Sequence, residues 1–186
     1  GLQEIFANFV SGLIILFERP IRVGDLVTGS GIEGYVTRIQ MRATTVTDFD
    51  RREIVIPNKE FITASVVNWT LTDPITRVII SVGVAYGTDP KLVHDKLLAA
   101  AKKCSKALTD PAPFTVFNDF GDSTLNFDVR VYMARRTDWL EVMNEVRSNI
   151  ANDFAAANIE IAFPQRDINV RSIEGLDRLL AERSGQ

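Results

Sequence analysis

Three features of the sequence predict an α+β protein. An almost unbroken apolar run lies near the N-terminus, a stretch of period-two strands cut by turn residues follows it, and the elements after that run in the order β-α-β-β-α-β. Together they predict a short apolar helix, a small β-barrel or strongly bent sheet, and a ferredoxin-like sandwich. At 186 residues, 46% apolar and 24% charged, the chain can bury a real core.

The apolar run is Ile5 to Phe17, IFANFVSGLIILF, in which only Asn8 and Ser11 are clearly polar. As a helix, Leu2 to Phe17 would be about 24 Å long, short of the ~30 Å hydrocarbon core of a bilayer. The cations follow the run instead of preceding it, which excludes a secretory signal. A buried core helix, an interfacial helix and the inner end of a membrane segment all fit. Arg19-Pro20-Ile21-Arg22 favours the last: Pro20 stops the helix, and Arg19 and Arg22 fall where cytoplasmic lipid headgroups favour cations. Gly12 stands inside the run although glycine costs about 1 kcal/mol in a helix interior. Close approach of another backbone, or a point of bending, would compensate. Asn8 lies one turn earlier on the same face, so Asn8 and Gly12 are the candidate packing or hinge residues.

From Val23 the pattern alternates. Leu26 to Thr28, Ile32 to Gln40, Ala43 to Thr47 and Glu53 to Pro57 are the strand candidates, with Gly29-Ser30-Gly31 and Asp48 to Arg52 as turns. A β unit this small exposes its edges and invites pairing between copies. Val55, Ile56, Val66, Val67 and Trp69 offer apolar surface for that contact. Thr70 to Thr76 reads as a linker.

Beyond it, Arg77 to Tyr86 is a strand, and Asp89-Pro90 opens a helix that buries Val93, Leu97, Ala100 and Cys104. Strands at Pro113 to Asn118 and Leu125 to Met133 follow. A second helix starts at Asp138, paired with Glu141 as a capping box, and buries Trp139, Met143, Val146, Ile150 and Phe154. A last strand is expected at Asp167 to Val170.

Little in this inventory carries chemistry. His94 is the one histidine and falls on the exposed flank of its helix; Cys104 is the one cysteine and reads as a small hydrophobe. No triad and no zinc site can be built from them. There is no GxGxxG and no P-loop lysine, so no nucleotide cofactor is expected. Asp48, Asp50 and Glu53 are interleaved with Arg51 and Arg52, which makes a solvated turn a better reading than a metal site. The net charge of −3 argues against nucleic acid. The expectation is a protein that is not an enzyme and has no cofactor or metal.

At this point the residues carry a resemblance. Phe17-Glu18-Arg19-Pro20-Ile21-Arg22-Val23-Gly24-Asp25, then Gly34-Tyr35-Val36, Ile54-Val55-Ile56-Pro57-Asn58 and Gly83-Val84-Ala85-Tyr86 resemble, in that order, the small-conductance mechanosensitive channel (MscS) family. Gly1 to Phe9 and Arg42 to Arg51 resemble most its large bacterial members, the MscK or potassium-efflux-system type.

The resemblance implies an inner end of the pore-lining transmembrane helix at 1–22, an Sm-like β domain at 23–69, a ferredoxin-like α/β domain at 70–172 and a C-terminal tail at 173–186. It further implies a homoheptamer in the bacterial inner membrane, with this portion on the cytoplasmic side as a hollow vestibule with side portals. The partners are then membrane lipid, other copies of the chain, and permeant ions and small osmolytes released under tension in hypo-osmotic shock. The family's pore-sealing residues lie upstream of Gly1, outside this chain. The tail departs from the family pattern, because Leu176, Leu179, Leu180 and Arg183 have helical spacing. The alternative is a soluble Sm-like or ferredoxin-like module that binds RNA or a small ligand.

Overall fold

The computed structural model describes residues 1–166. Helix α1 spans Leu2–Glu18 and stops where Arg19 turns left-handed (φ 53°, ψ 48°), its N–H returning to the Ile15 carbonyl just before Pro20. Strands β1 (Leu26–Gly29), β2 (Ile32–Ile39), β3 (Ala43–Asp48) and β4 (Glu53–Pro57) follow within a residue or two of the alternating segments. A single turn of helix, α2 (Asn58–Thr63), and a two-residue strand, β5 (Val67–Asn68), then complete an antiparallel sheet of order β4-β3-β2-β1-β5.

This sheet does not close into the expected barrel: among the described residues, β4 and β5 stay its two free edges. Its apolar face has no need of closure, because Ile15 of α1 and Phe61 of α2 pack there on Val27, Val36, Val46 and Ile56. The β2–β3 pairing shifts register between Val36 and Arg38, an irregularity of the kind that bends a strand, beside a close crossing at Gly34. A Cβ on Gly34 would overlap the Thr47 carbonyl.

The second unit is built on strands β6 (Thr76–Val84), β8 (Leu125–Met133) and β7 (Phe114–Phe120), in that spatial order. Helices α3 (Pro90–Lys102) and α4 (Trp139–Ala156) cover one face. Buried Leu125, Phe127, Val129, Val131 and Met133 alternate along β8 and meet Val93, Leu97 and Ala100 of α3 and Val142, Val146 and Ile150 of α4. The Asp89 carboxylate accepts from the Lys91 N–H at 3.0 Å, with Pro90 as the first residue of α3.

The chain then returns along β6, where the Ala162 N–H donates to the Gly83 carbonyl and Ile161 bridges Val84. The strand expected at Asp167–Val170, and the tail, lie outside the described residues.

Three local expectations need correction. Asp138 does not cap its helix through its side chain. Lys106 and Arg135 hold the carboxylate instead, at 3.0 and 3.2 Å, and the Lys106 ammonium keeps it below the usual aspartate range. Trp139 and Met143 are only partly buried, and Val142 takes the place expected of them in the core. His94 is half-buried, not exposed: its Nδ1 lies 2.6 Å from Thr115 Oγ1, and its ring meets Phe127 edge-on.

Candidate functional site

The described residues hold no cluster of three or more potential metal ligands. Cys104 is buried, and its Sγ donates to Glu145 at 3.2 Å. Asp48 is occupied by Arg52, which donates through its backbone N–H and its Nε at 2.8 and 2.7 Å. The feature that sets this molecule apart is α1, which docks on the first sheet through one stripe of mostly small and polar residues and leaves an apolar face exposed.

The docking stripe runs Glu4, Asn8, Ser11, Gly12, Ile15, at the three- and four-residue spacing of one helix face. Glu4 meets Lys59 at 3.2 Å. Asn8 Nδ2 donates to the Glu4 carbonyl, while its Oδ1 accepts the Lys59 N–H at 3.0 Å. A Cβ on Gly12 would overlap the Met41 carbonyl oxygen and come within 2.7 Å of Asn58 Nδ2. Ile15 is fully buried in the sheet's apolar cluster.

The structure thus brings Asn8 and Gly12 together on one seam, against the β2–β3 turn and the start of α2. Asn58 anchors the far side: wholly buried, it accepts from Thr44 Oγ1 at 2.8 Å and donates to the Gln40 carbonyl at 2.9 Å. Sequence reading missed Met41, Asn58 and Lys59. Their one signal was Pro57-Asn58 closing an apolar strand, which read as a strand end and nothing more.

The opposite face of α1 is apolar and largely exposed, with Ala7, Phe9, Val10 and Ile14 half-buried. Leu2 is 88% and Phe17 84% accessible, and Ile5, Phe6, Leu13 and Leu16 are also exposed. Leu2, Ile5, Phe6 and Phe9 form an open apolar cleft with Met41 and Arg42. No helix among the described residues is long and apolar enough to cross a membrane.

Arg19 and Arg22 lie at the C-terminal end of α1, both exposed and, among the described residues, in no ion pair. The turn that follows, Arg22 to Asp25, is fixed by Asp25, a buried carboxylate that accepts from the Arg22 N–H, Asn68 Nδ2 and Thr70 Oγ1 at 2.9, 2.8 and 3.0 Å. Of the residues expected on a contact between copies, Val55 on β4 and Val67 on β5 are exposed. Ile56 and Val66 turn into the apolar cluster, and Trp69 is held by Thr28.

Two family models match this chain: the mechanosensitive ion channel beta-domain over residues 4–71, and the mechanosensitive ion channel MscS C-terminal region over residues 78–161. The Escherichia coli mechanosensitive channel MscK is 46% identical over 175 residues, 94% of this chain. An uncharacterized MscS family protein of Haemophilus influenzae is 49% identical over 172 residues, 92% of the chain. The chain spans only 16% of either relative's length. The closed-state crystal structure of Helicobacter pylori MscS superposes with a TM-score of 0.85 at 28% identity, over 92% of this chain and 68% of that one. Arabidopsis thaliana MSL1 shares the fold at 16% identity, with a TM-score of 0.71.

Proposed function

The chain belongs to the MscS family of mechanosensitive ion channels, and from that premise we propose that it is the pore-helix end and cytoplasmic vestibule of a channel that opens under membrane tension. The full-length protein would release ions and small osmolytes during hypo-osmotic shock, as a homoheptamer in the bacterial inner membrane. One observation carries this reading: α1 is pinned by a single polar stripe while Leu2, Ile5, Phe6, Leu13, Leu16 and Phe17 stay exposed. A water-soluble module would not leave so large a contiguous apolar patch uncovered; a helix bordering lipid and neighbouring helices would. The experiment is tension recording from the full-length protein in patched spheroplast membrane. Currents that rise with suction support the reading, and silence at every tension with protein present sinks it.

The open sheet supports assembly into a ring. Its free edges, β4 and β5, lie at opposite ends, so the β4 of one copy can pair with the β5 of the next, a head-to-tail contact of the kind from which closed rings are built. Val55, 65% exposed, and Val67 sit on those edges. Val55→Asp and Val67→Asp should each shift the particle to smaller species in light scattering, and a mass equal to wild type for both would exclude this edge contact.

Arg19 and Arg22 are the proposed membrane-interface cations, each contributing about 1 kcal/mol against anionic lipid. Replacing both with Gln should weaken liposome binding and flatten its salt dependence. Wild-type binding equal at low and high salt would refute the lipid role.

A further inference from the structure

The two folded units meet through very little. Among the described residues, one side-chain hydrogen bond and one ion pair join residues 1–72 to residues 76–166, and both are the same contact: Arg136 Nε to Glu33 Oε1 at 3.2 Å. Arg136 belongs to a 3₁₀ turn (Arg136–Asp138) that opens α4, and Glu33 to β2. The guanidinium also lies over two indole rings, 4.9 Å from the centroid of Trp69 and 5.1 Å from that of Trp139. These are the chain's two tryptophans.

Trp69 is fixed to the first sheet. Its Nε1 donates to Thr28 Oγ1 at 2.8 Å and its N–H to the Leu26 carbonyl at 2.9 Å. Trp139 is the first residue of α4. The planar cation is therefore held over a ring from each unit, while its Nε donates to a carboxylate of the first unit. Arginine suits this place better than lysine, since its flat faces stack while its edge still donates.

Beside the clamp a groove of about 330 Å³ lies between the units, lined by Glu33, Phe49, Arg136, Thr137, Trp139 and Leu140. Phe49 and Leu140 face it and are exposed. The joint is thus held at one point and is unfilled next to it.

We propose that Arg136, held over Trp69 and Trp139 and paired with Glu33, is a latch that fixes the angle of the C-terminal unit on the β unit, and that releasing it frees the joint while both units stay folded. Arg136 is a positioning residue, acting through Glu33 and Trp69 of the first unit, which it grips. The proposal is independent of the channel reading, since it concerns the joint alone.

Hydrogen exchange on the full-length protein tests it. The amides of Thr70 and Ile75 report on the linker and that of Asp138 on the 3₁₀ turn, each held by one local hydrogen bond, and that of Trp69 reports on the seat of its ring on the first sheet, where it donates to the Leu26 carbonyl. In Arg136→Met, exchange of peptides covering 69–76 and 134–138 should rise about tenfold or more, with β8 and α3 unchanged; Arg136→Lys, which keeps the charge and loses the flat stack, should fall between. Exchange at the joint within about twofold of wild type, or an equal rise in β8 and α3, overturns the latch. Should Arg136→Met not accumulate, Glu33→Gln, which breaks the ion pair and keeps the stack, must give a smaller rise confined to the joint, and no rise there also overturns it.

Discussion

Gly12→Leu should unseat α1 from the first sheet, and Gly12→Ala should already weaken its seat. On intrinsic propensity alone alanine would stabilise the helix by about 1 kcal/mol. The seam reverses that sign. A Cβ at position 12 overlaps the Met41 carbonyl oxygen, a backbone atom that moves only with its strand turn, and crowds Asn58 Nδ2 at 2.7 Å. Displacing Asn58 strands the Thr44 hydroxyl and the Gln40 carbonyl, two groups it now satisfies. Overpacking costs about 1–3 kcal/mol and orphaning the buried Thr44 hydroxyl about 1–3 more. Alanine should therefore cost about 1–3 kcal/mol net, and leucine more than about 3.

The Lys59 amide, held by Asn8 Oδ1 across the same seam, is the reporter. Its exchange should quicken in Gly12→Ala and lose protection in Gly12→Leu, with the tension threshold of the full-length protein moving in parallel. A Gly12→Ala protein with wild-type Lys59 protection and wild-type currents would show that glycine is merely tolerated. Altered currents with Lys59 still protected would point instead to Gly12 as a bending point.

The close approach was legible on one side only. A glycine amid large apolar residues announces that something must come near, but Met41 and Asn58 are distant in sequence and no local pattern names them. The same division runs through the fold. Strands β1 to β4 and β6 to β8 were readable because half-buried strands alternate, and α1, α3 and α4 because they are long enough to show a helical period or a cap. Helix α2 has six residues, too few for a period, and β5 has two and exists only because Val27 and Thr28 are there to pair with it. His94 looked exposed on its own helix, and Asp138 looked like a cap; Thr115 and Lys106, brought in from elsewhere in the chain, decide both. Barrel closure was overread because strand count says nothing of what else covers the apolar face, and here Ile15 and Phe61 do.

Asp25→Ala should be the most damaging polar substitution in the β unit. The carboxylate is buried and ties three pieces of chain together: Oδ2 accepts from the Arg22 N–H, just after α1, and from Asn68 Nδ2 on β5, and Oδ1 accepts from Thr70 Oγ1 in the linker. Bonds to a carboxylate are the stronger kind, and removing it leaves the Arg22 N–H without its partner and takes from Asn68 Nδ2 and Thr70 Oγ1 one of the two that each has, so the loss should be about 2–4 kcal/mol.

Asp25→Asn separates geometry from charge. An amide oxygen in the Oδ2 position still accepts from Arg22 and Asn68, and its nitrogen can donate to Thr70 Oγ1, whose proton then goes to Asn68 Oδ1, now 3.3 Å away. That variant should lose only about 1 kcal/mol. Urea unfolding of the chain in detergent reads both, and equal losses for Ala and Asn, or a loss under about 1 kcal/mol for Ala, would contradict this account.

The network also meets the latch. Trp69 lies between Asn68 and Thr70, which Asp25 holds, and carries one face of the Arg136 clamp. Loosening that segment from the Asp25 side should take away part of what Arg136 has to grip. Asp25→Ala and Arg136→Met combined should then cost less than the sum of the two, and strict additivity would mean that the exit of α1 and the joint between the units are independent.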